Sequence, residues 1–155
     1  MSDNINNISE TINYQISSIS SLTGDGGGDI HYPYVIFQVF DNKFAVNSKF
    51  VVSIENTKNS ENINNTDNTE VFNLRELLWG NNCYSEDTKP MEHIIILQIK
   101  DKTIGIIVDV AENIEHIDEI QELPRSVITG KYIKKVGLSK TDRKIIYILD
   151  PEAFE

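Results

Sequence analysis

Hydrophobic residues are densest between Ile94 and Val110, where the apolar runs IIILQI and TIGIIVDV flank a short polar turn at residues 100–102. Aliphatic and β-branched residues favour the half-buried surface of a sheet. Because both runs are apolar almost throughout, we expect protein to cover both faces of each strand. The pattern therefore predicts a β-hairpin at the centre of the core.

Shorter apolar or alternating segments predict additional strands on both sides of this hairpin. Asp41-Asn42 provides a polar turn between the first two of them, which makes an opening hairpin. The predicted strands outside the central hairpin are 34–40, 43–46, 132–138 and 144–149, with an extended edge over 113–117. Val51, Val52 and Ile54 are expected to return the chain to the core.

Short helices are predicted where a capping residue precedes a suitable pattern. Asn73 is placed to cap a helix over 71–80, and Gly80 suits its C-terminal end. Residues 118–123 predict a helical turn that Pro124 stops. Two further N-caps are predicted at Asn47 and Asp150. The fold class is therefore mainly β with a few short helices.

Two segments are too polar to form part of a core. Residues 1–32 predict a flexible tail, although isoleucines about four residues apart leave open an amphipathic helix that docks on the domain. Residues 56–70 contain one apolar residue, Ile63, and predict a mobile loop. The folded domain is accordingly expected at 33–155.

Charge and cysteine content limit the possible functions. The 155 residues have a formal net charge of −10, which argues against nonspecific binding to nucleic acid or to an anionic membrane. A single cysteine, Cys83, allows no internal disulfide, and no apolar run approaches the length that spans a membrane. We expect a soluble cytoplasmic protein.

No combination of residues predicts catalysis, a cofactor or a metal. The acidic residues of 109–122 are irregularly spaced, so a solvated face is favoured over acid–base chemistry. Gly105 and Gly137 lie within predicted strands, where they indicate close backbone approach rather than a phosphate loop. Cys83 is predicted to be an incidental thiol. The histidines are predicted to lie at the surface or at strand ends: His31, His93 and His116.

Three blocks in order resemble CheW-like domains. Thr103–Ile114, TIGIIVDVAENI, resembles the family's most recognisable block, approximately V-V-G-I-V-V-D-x-V-x-x-V, with Gly105 and Asp109 at its glycine and aspartate. Residues 34–54 resemble the opening hairpin, and 131–154 resemble the last two strands and terminal helix.

This resemblance implies two packed five-stranded, SH3-like β-barrels, the first over 33–90 and the second over 91–155 with the C-terminal helix. It also implies a non-enzymatic scaffold in bacterial chemotaxis-type signal transduction. Such adaptors couple a chemoreceptor signalling domain to the regulatory domain of a CheA-type histidine kinase. Other CheW-like domains are further expected partners.

One departure from the family weakens this expectation. The family usually carries two Leu-Arg motifs, whereas this chain has Asn73-Leu74-Arg75 alone. The motif fits the second position better because a helix continues after it, although the first position stays open. Either way the first barrel is shortened, and the alternative is a paralogue that binds a different protein partner. A ligand-binding barrel or small enzyme is a third hypothesis, based on the carboxylates of 109–122.

The resemblance also implies partner-binding positions, each with a structural alternative. Val51 and Ile54 fall where the family's groove between the barrels receives a receptor helix, but positions in the core are the favoured explanation of both. Arg75 is a partner contact or a surface ion pair. The full set of predicted partner-binding residues is Val51, Ile54, Arg75, Gly105, Asp109 and Ile114.

Overall fold

A computed structural model of the chain describes residues 10–16, 32–59, 69–80, 88–123 and 131–154. Within these ranges the prediction of a mainly β chain with a few short helices is confirmed. The α-helices are α1, residues 10–16, and α2, Leu74–Trp79, and short 3₁₀ helices lie at Ser48–Phe50, Thr57–Asn59 and Pro151–Phe154. The strands are β1 Tyr34–Val39, β2 Asn42–Asn47, β3 Val51–Asn56, β4 Thr69–Asn73, β5 His93–Ile99, β6 Lys102–Val108, β7 Val110–Glu115, β8 Ile120–Glu122, β9 Ile133–Leu138 and β10 Ile145–Leu149.

The strands form two sheets. The large sheet has six strands in the order β7-β1-β2-β10-β9-β8, and the small sheet has four in the order β3-β5-β6-β4. Pairing is antiparallel except between β2 and β10 and between β4 and β6. Neither order closes on itself within the described strands, so the two expected units are present as open sheets rather than closed barrels. Because β1 and β2 join strands after residue 90, the sheets cross the predicted boundary at that residue.

The central hairpin is confirmed as β5 and β6, the two inner strands of the small sheet. The register runs from His93 opposite Val108 to Ile99 opposite Lys102. Lys100 turns the chain with a positive φ of 53°. Side chains from both faces of this hairpin are buried, which explains its near-continuous apolar sequence.

Two segments differ from their predicted structure. Residues 69–73 form β4, where a mobile loop and the start of a helix were expected, because they pair in parallel with β6. The expected helical turn over 118–123 is wrong, since Ile120–Glu122 forms β8 against β9. In both cases pairing with a strand distant in the sequence decides the local conformation. At the other end of the expected loop, Asn56 ends β3 and Thr57–Asn59 forms a 3₁₀ helix, and 60–68 lies outside the described residues.

The predicted caps are confirmed. Asn73 Oδ1 accepts a hydrogen bond from Glu76 N at 3.3 Å, and α2 ends at Gly80 with a φ of 87°. Asn47 Oδ1 accepts from Lys49 N at 2.9 Å. At the C-terminal 3₁₀ helix, Asp150 Oδ1 accepts from the backbone of the residue after Pro151. Local polar chemistry thus determines these ends.

The N-terminal segment is ordered over α1. Ile12 and Ile16 are 1% and 6% exposed and belong to the main core, which contains residues from both sheets. The docked amphipathic helix is therefore the correct alternative for residues 10–16. The rest of the predicted tail lies outside the described residues, apart from Tyr32.

An ion cluster on the large sheet joins three elements. Lys43 Nζ on β2 lies 2.7 Å from Asp142 Oδ2 in the β9–β10 turn and 3.5 Å from Glu112 Oε2 on β7. The hydrogen bond from Lys43, followed by one from the backbone of Lys144, lowers the pKa of Asp142 from 3.8 to about 2. The same hydrogen bond raises the pKa of Lys43.

We expect Asp142→Asn to destabilise the fold modestly near neutral pH. Because the folded pKa of Asp142 is depressed, its contribution is complete above its ordinary pKa of 3.8 and is lost as the pH falls through about 2. Urea denaturation across the acidic range should show the stability difference between wild type and variant shrinking towards zero. Asp101→Asn, in the exposed β5–β6 turn, is the matched control. A difference that persists unchanged below that pH would contradict this assignment.

Candidate partner-binding site

Asp109 lies where β6 ends and β7 begins, and its backbone joins three parts of the chain. Its N–H donates to Gln38 O on β1 at 3.0 Å, and its carbonyl accepts from Glu92 N at 2.9 Å, just before β5. Since β1 belongs to the large sheet and β6 to the small one, Asp109 connects the two sheets.

The side chain of Asp109 is held by Arg75 and Phe40. Arg75 Nε donates to Asp109 Oδ1 at 2.7 Å, with 3% and 17% of the two side chains exposed. Phe40 N donates to Asp109 Oδ2 at 2.9 Å, which fixes the β1–β2 turn where Phe40 has a positive φ of 55°. The guanidinium also lies 4.9 Å from the centre of the Phe40 ring, a cation–π contact. Arg75, Phe40 and Asp109 are called the Asp109 junction below.

The structure places the six predicted partner-binding residues in four locations. Arg75 and Asp109 meet at the junction, where Arg75 forms an ion pair, as the structural alternative expected, but a buried one and not one at the surface. Val51 and Ile54 lie on β3 and are 6% and 1% exposed. The other two lie apart: Gly105 is on β6 of the small sheet, and half-buried Ile114 is on β7 of the large sheet. The partner-binding role of all six stays a prediction.

Close packing explains the two strand glycines. A Cβ on Gly105 would lie 3.1 Å from Ile94 Cγ2, tighter than ordinary contact. A Cβ on Gly137 would lie 2.6 Å from Ile117 Cγ2 and 3.1 Å from the carbonyl oxygen of Glu119. Close approach, as expected from the sequence, is thus observed at both positions.

One of the histidines is buried. His93 is 0% exposed, and its Nδ1 accepts a hydrogen bond from Ala111 N at 2.9 Å, which ties β5 to β7. The strand-end prediction holds for His93, but a surface position would be wrong. His116 is exposed, as expected. The remaining histidine, His31, and Cys83 lie outside the described residues.

Intramolecular contacts account for several carboxylates of 109–122. Glu112 lies in the Lys43 ion cluster, and Asp118 Oδ2 is 2.8 Å from Lys140 Nζ. Glu115 accepts from Lys140 N and from the hydroxyl of Thr141. With the Asp109 junction, these contacts account for four of the six carboxylates of the segment; the other two, Glu119 and Glu122, are exposed. A solvated face with internal ion pairs therefore fits the segment, as expected from the sequence.

The structure has an exposed apolar groove that no pattern in the sequence predicted. It has a volume of about 580 Å³ and is open to solvent between α2 and the large sheet. Trp79 and Ile145, on its walls, are 43% and 56% exposed. The Trp79 ring lies edge-on to Phe40 at 5.0 Å and to Phe44 at 6.2 Å. We call this feature the Trp79 groove; its apolar lining includes Phe44, Leu78, Trp79, Ile133, Ile145 and Tyr147.

The fold is that of a mainly β domain of two packed sheets. Within the described ranges no three His, Cys, Asp or Glu side chains are grouped to hold a metal ion. In the same ranges no helix is long and apolar enough to cross a membrane.

The profile of the CheW-like domain family matches residues 33–154. The chain therefore belongs to the CheW-like domain family. Among solved structures it is similar to the scaffolding protein TtCheW from Thermoanaerobacter tengcongensis, with a TM-score of 0.57 and 18% sequence identity. That likeness covers 78% of this chain and 90% of the other, and it supports the fold. No curated protein matches the chain.

We expect Asp109→Asn to destabilise the fold by about 3 kcal/mol, because it leaves the buried Arg75 charge without a counter-charge. In the double variant Arg75→Met/Asp109→Asn, the loss should be smaller than the sum of the two single losses by about 1 kcal/mol or more. Urea denaturation of the four proteins measures this coupling.

Asp41→Asn is the matched control, since Asp41 is exposed beside the junction and its replacement should cost less than about 0.5 kcal/mol. If the stability loss of the double variant equalled the sum of the losses of Arg75→Met and Asp109→Asn, the two side chains would not be coupled, and the ion pair would contribute nothing of its own.

Proposed function

We propose that this chain is a non-enzymatic adaptor in bacterial chemotaxis-type signalling, which couples chemoreceptors to a CheA-type histidine kinase in the cytoplasm. The observation that carries the proposal is the family match over 33–154, which spans nearly all of the folded domain. An adaptor works by holding two partners at once, so it requires two separate binding surfaces.

The Trp79 groove is our candidate for the first of these surfaces. Large apolar residues that converge on an open concavity are typical of protein-binding sites, and Trp is the residue type most enriched at binding hot spots. Trp79 and Ile145 come from α2 and β10, so one rigid helix and one rigid strand support the two walls.

The face formed by β3 is our candidate for the second surface. β3 is an edge strand of the small sheet, whereas the walls of the Trp79 groove include strands of the large sheet. A coupling protein needs this separation, since two partners that shared one surface would exclude each other.

A paralogue that binds a different protein partner is the second candidate function. The Leu74-Arg75 motif favours it, because the Arg75 side chain is committed to Asp109 and is 3% exposed. A family contact made through this arginine would therefore need the Asp109 junction to open. The coupling adaptor and the specialised paralogue would share the fold and would differ in the partners that they bind.

Binding measurements with the purified chain distinguish these functions. We expect it to bind both the regulatory domain of the kinase and the signalling domain of a chemoreceptor by isothermal titration calorimetry. If either partner failed to bind at high micromolar concentration, the coupling role would be excluded, although the assignment of the fold would stand. Binding to one alone would favour the specialised paralogue.

Ile145→Glu should weaken the binding of one partner by roughly tenfold or more and leave the other unchanged, because a carboxylate in an apolar contact is desolvated without a counter-charge. Val52→Glu is the matched control, because Val52 is an apolar residue 53% exposed on β3. This variant should leave the affinity of the partner bound at the Trp79 groove unchanged. If Ile145→Glu affected neither partner, the Trp79 groove would not be a coupling surface.

A further inference from the structure

The β3 edge is covered by a helix of the same chain. An edge strand presents backbone N–H and C=O groups without a neighbouring strand, and folded proteins often cover such edges. Asn13, on α1, satisfies both backbone groups of one β3 residue: its Oδ1 accepts from Ile54 N at 2.7 Å, and its Nδ2 donates to Ile54 O at 3.0 Å. A single carboxamide thus takes the place of a partner strand at this position.

The contact also has an apolar half. Ile12 and Ile16 lie one helical turn apart and are buried in the main core, whereas Tyr14 is 76% exposed on the other side of α1. The docked face of α1 therefore consists of two isoleucines four residues apart, with the asparagine directly after the first.

The sequence around α1 favours a helix that forms only when it is docked. Ser and Asn, which have low helix propensity, are frequent around it. Residues 17–31 join α1 to the rest of the domain, so the contact is intramolecular and forms at a high local concentration. Two isoleucines and one carboxamide are then enough to hold α1 at β3, whereas a partner with a larger contact could displace it.

We propose that α1 is a built-in, displaceable occupant of the helix-binding position that the family resemblance implies at Val51 and Ile54 of β3. The site selects two aliphatic residues four apart with a carboxamide after the first. A partner helix with this pattern competes with α1. Its apparent association constant is therefore the intrinsic constant multiplied by the fraction of molecules in which α1 is undocked. That a chemoreceptor helix is the competitor rests on the proposed function; occupation of the site by α1 does not.

The full-length chain tests this with a labelled peptide of residues 1–20. The variant Ile12→Ser/Ile16→Ser weakens its own α1, which leaves the β3 site free. The peptide should bind this variant at least about tenfold more tightly than it binds wild type. Peptide carrying Asn13→Ala should bind more weakly than the natural peptide, and Gln15→Ala, on the exposed side of α1, should behave as wild type.

Amide hydrogen exchange provides a second test that does not require loss of the isoleucines. In Asn13→Ala the Ile54 amide loses its acceptor, so its exchange should accelerate by about fivefold or more. The amides of β5 and β6 should keep their wild-type rates, which shows that the small sheet is intact. Gln15→Ala should leave the Ile54 rate unchanged.

Any of four results would overturn the proposal. Three of them are equal peptide binding to wild type and to Ile12→Ser/Ile16→Ser, no binding to that variant while its β5 and β6 amides stay protected, and an unchanged Ile54 rate in Asn13→Ala. The fourth result is protection of the Ile54 amide that increases with protein concentration, since the α1 that covers it would then come from a second copy of the chain. None of these measurements uses a kinase or a receptor, so they are independent of the proposed function.

Discussion

The buried ion pair between Arg75 and Asp109 is the constraint on which the arrangement of this domain depends. Asp109 joins the end of β6 to β1 through its backbone, and its side chain holds α2 and the β1–β2 turn. A buried pair of this kind adds little net stability over an apolar contact, but removal of one member leaves a buried charge. The pair therefore fixes geometry: α2 can dock in one orientation relative to both sheets.

This orientation determines where the Trp79 groove lies. Trp79 follows Arg75 by four residues, so both side chains lie on the same side of α2. While Arg75 reaches Asp109, Trp79 packs edge-on against Phe40 and Phe44 and forms a wall of the groove. The Leu-Arg motif thus acts inside the domain, where it positions the exposed apolar surface of the Trp79 groove.

Features that depend on local chemistry were predictable from the sequence. The hairpins follow from apolar runs around polar turns, and the N-cap at Asn73 and the positive φ of Gly80 follow from residue type. β4 and β8 were missed because pairing with distant strands orders polar segments. Of the candidate site, the sequence supplied Arg75 and Asp109 separately. Their pairing across 34 positions, and the groove assembled from distant elements, could not be derived from local patterns.

The α1 helix is a limiting case of the same argument. Its isoleucine spacing indicated a possible amphipathic helix, but its polar composition is too unfavourable for local propensity to decide. The fold decides instead, because an unpaired edge at Ile54 and an apolar surface beside it supply what α1 lacks alone. Since α1 covers β3 and leaves Trp79 and Ile145 exposed, its departure would change one candidate surface and not the other. An adaptor built this way could hold one partner constantly while access of the second depends on its own N-terminal segment.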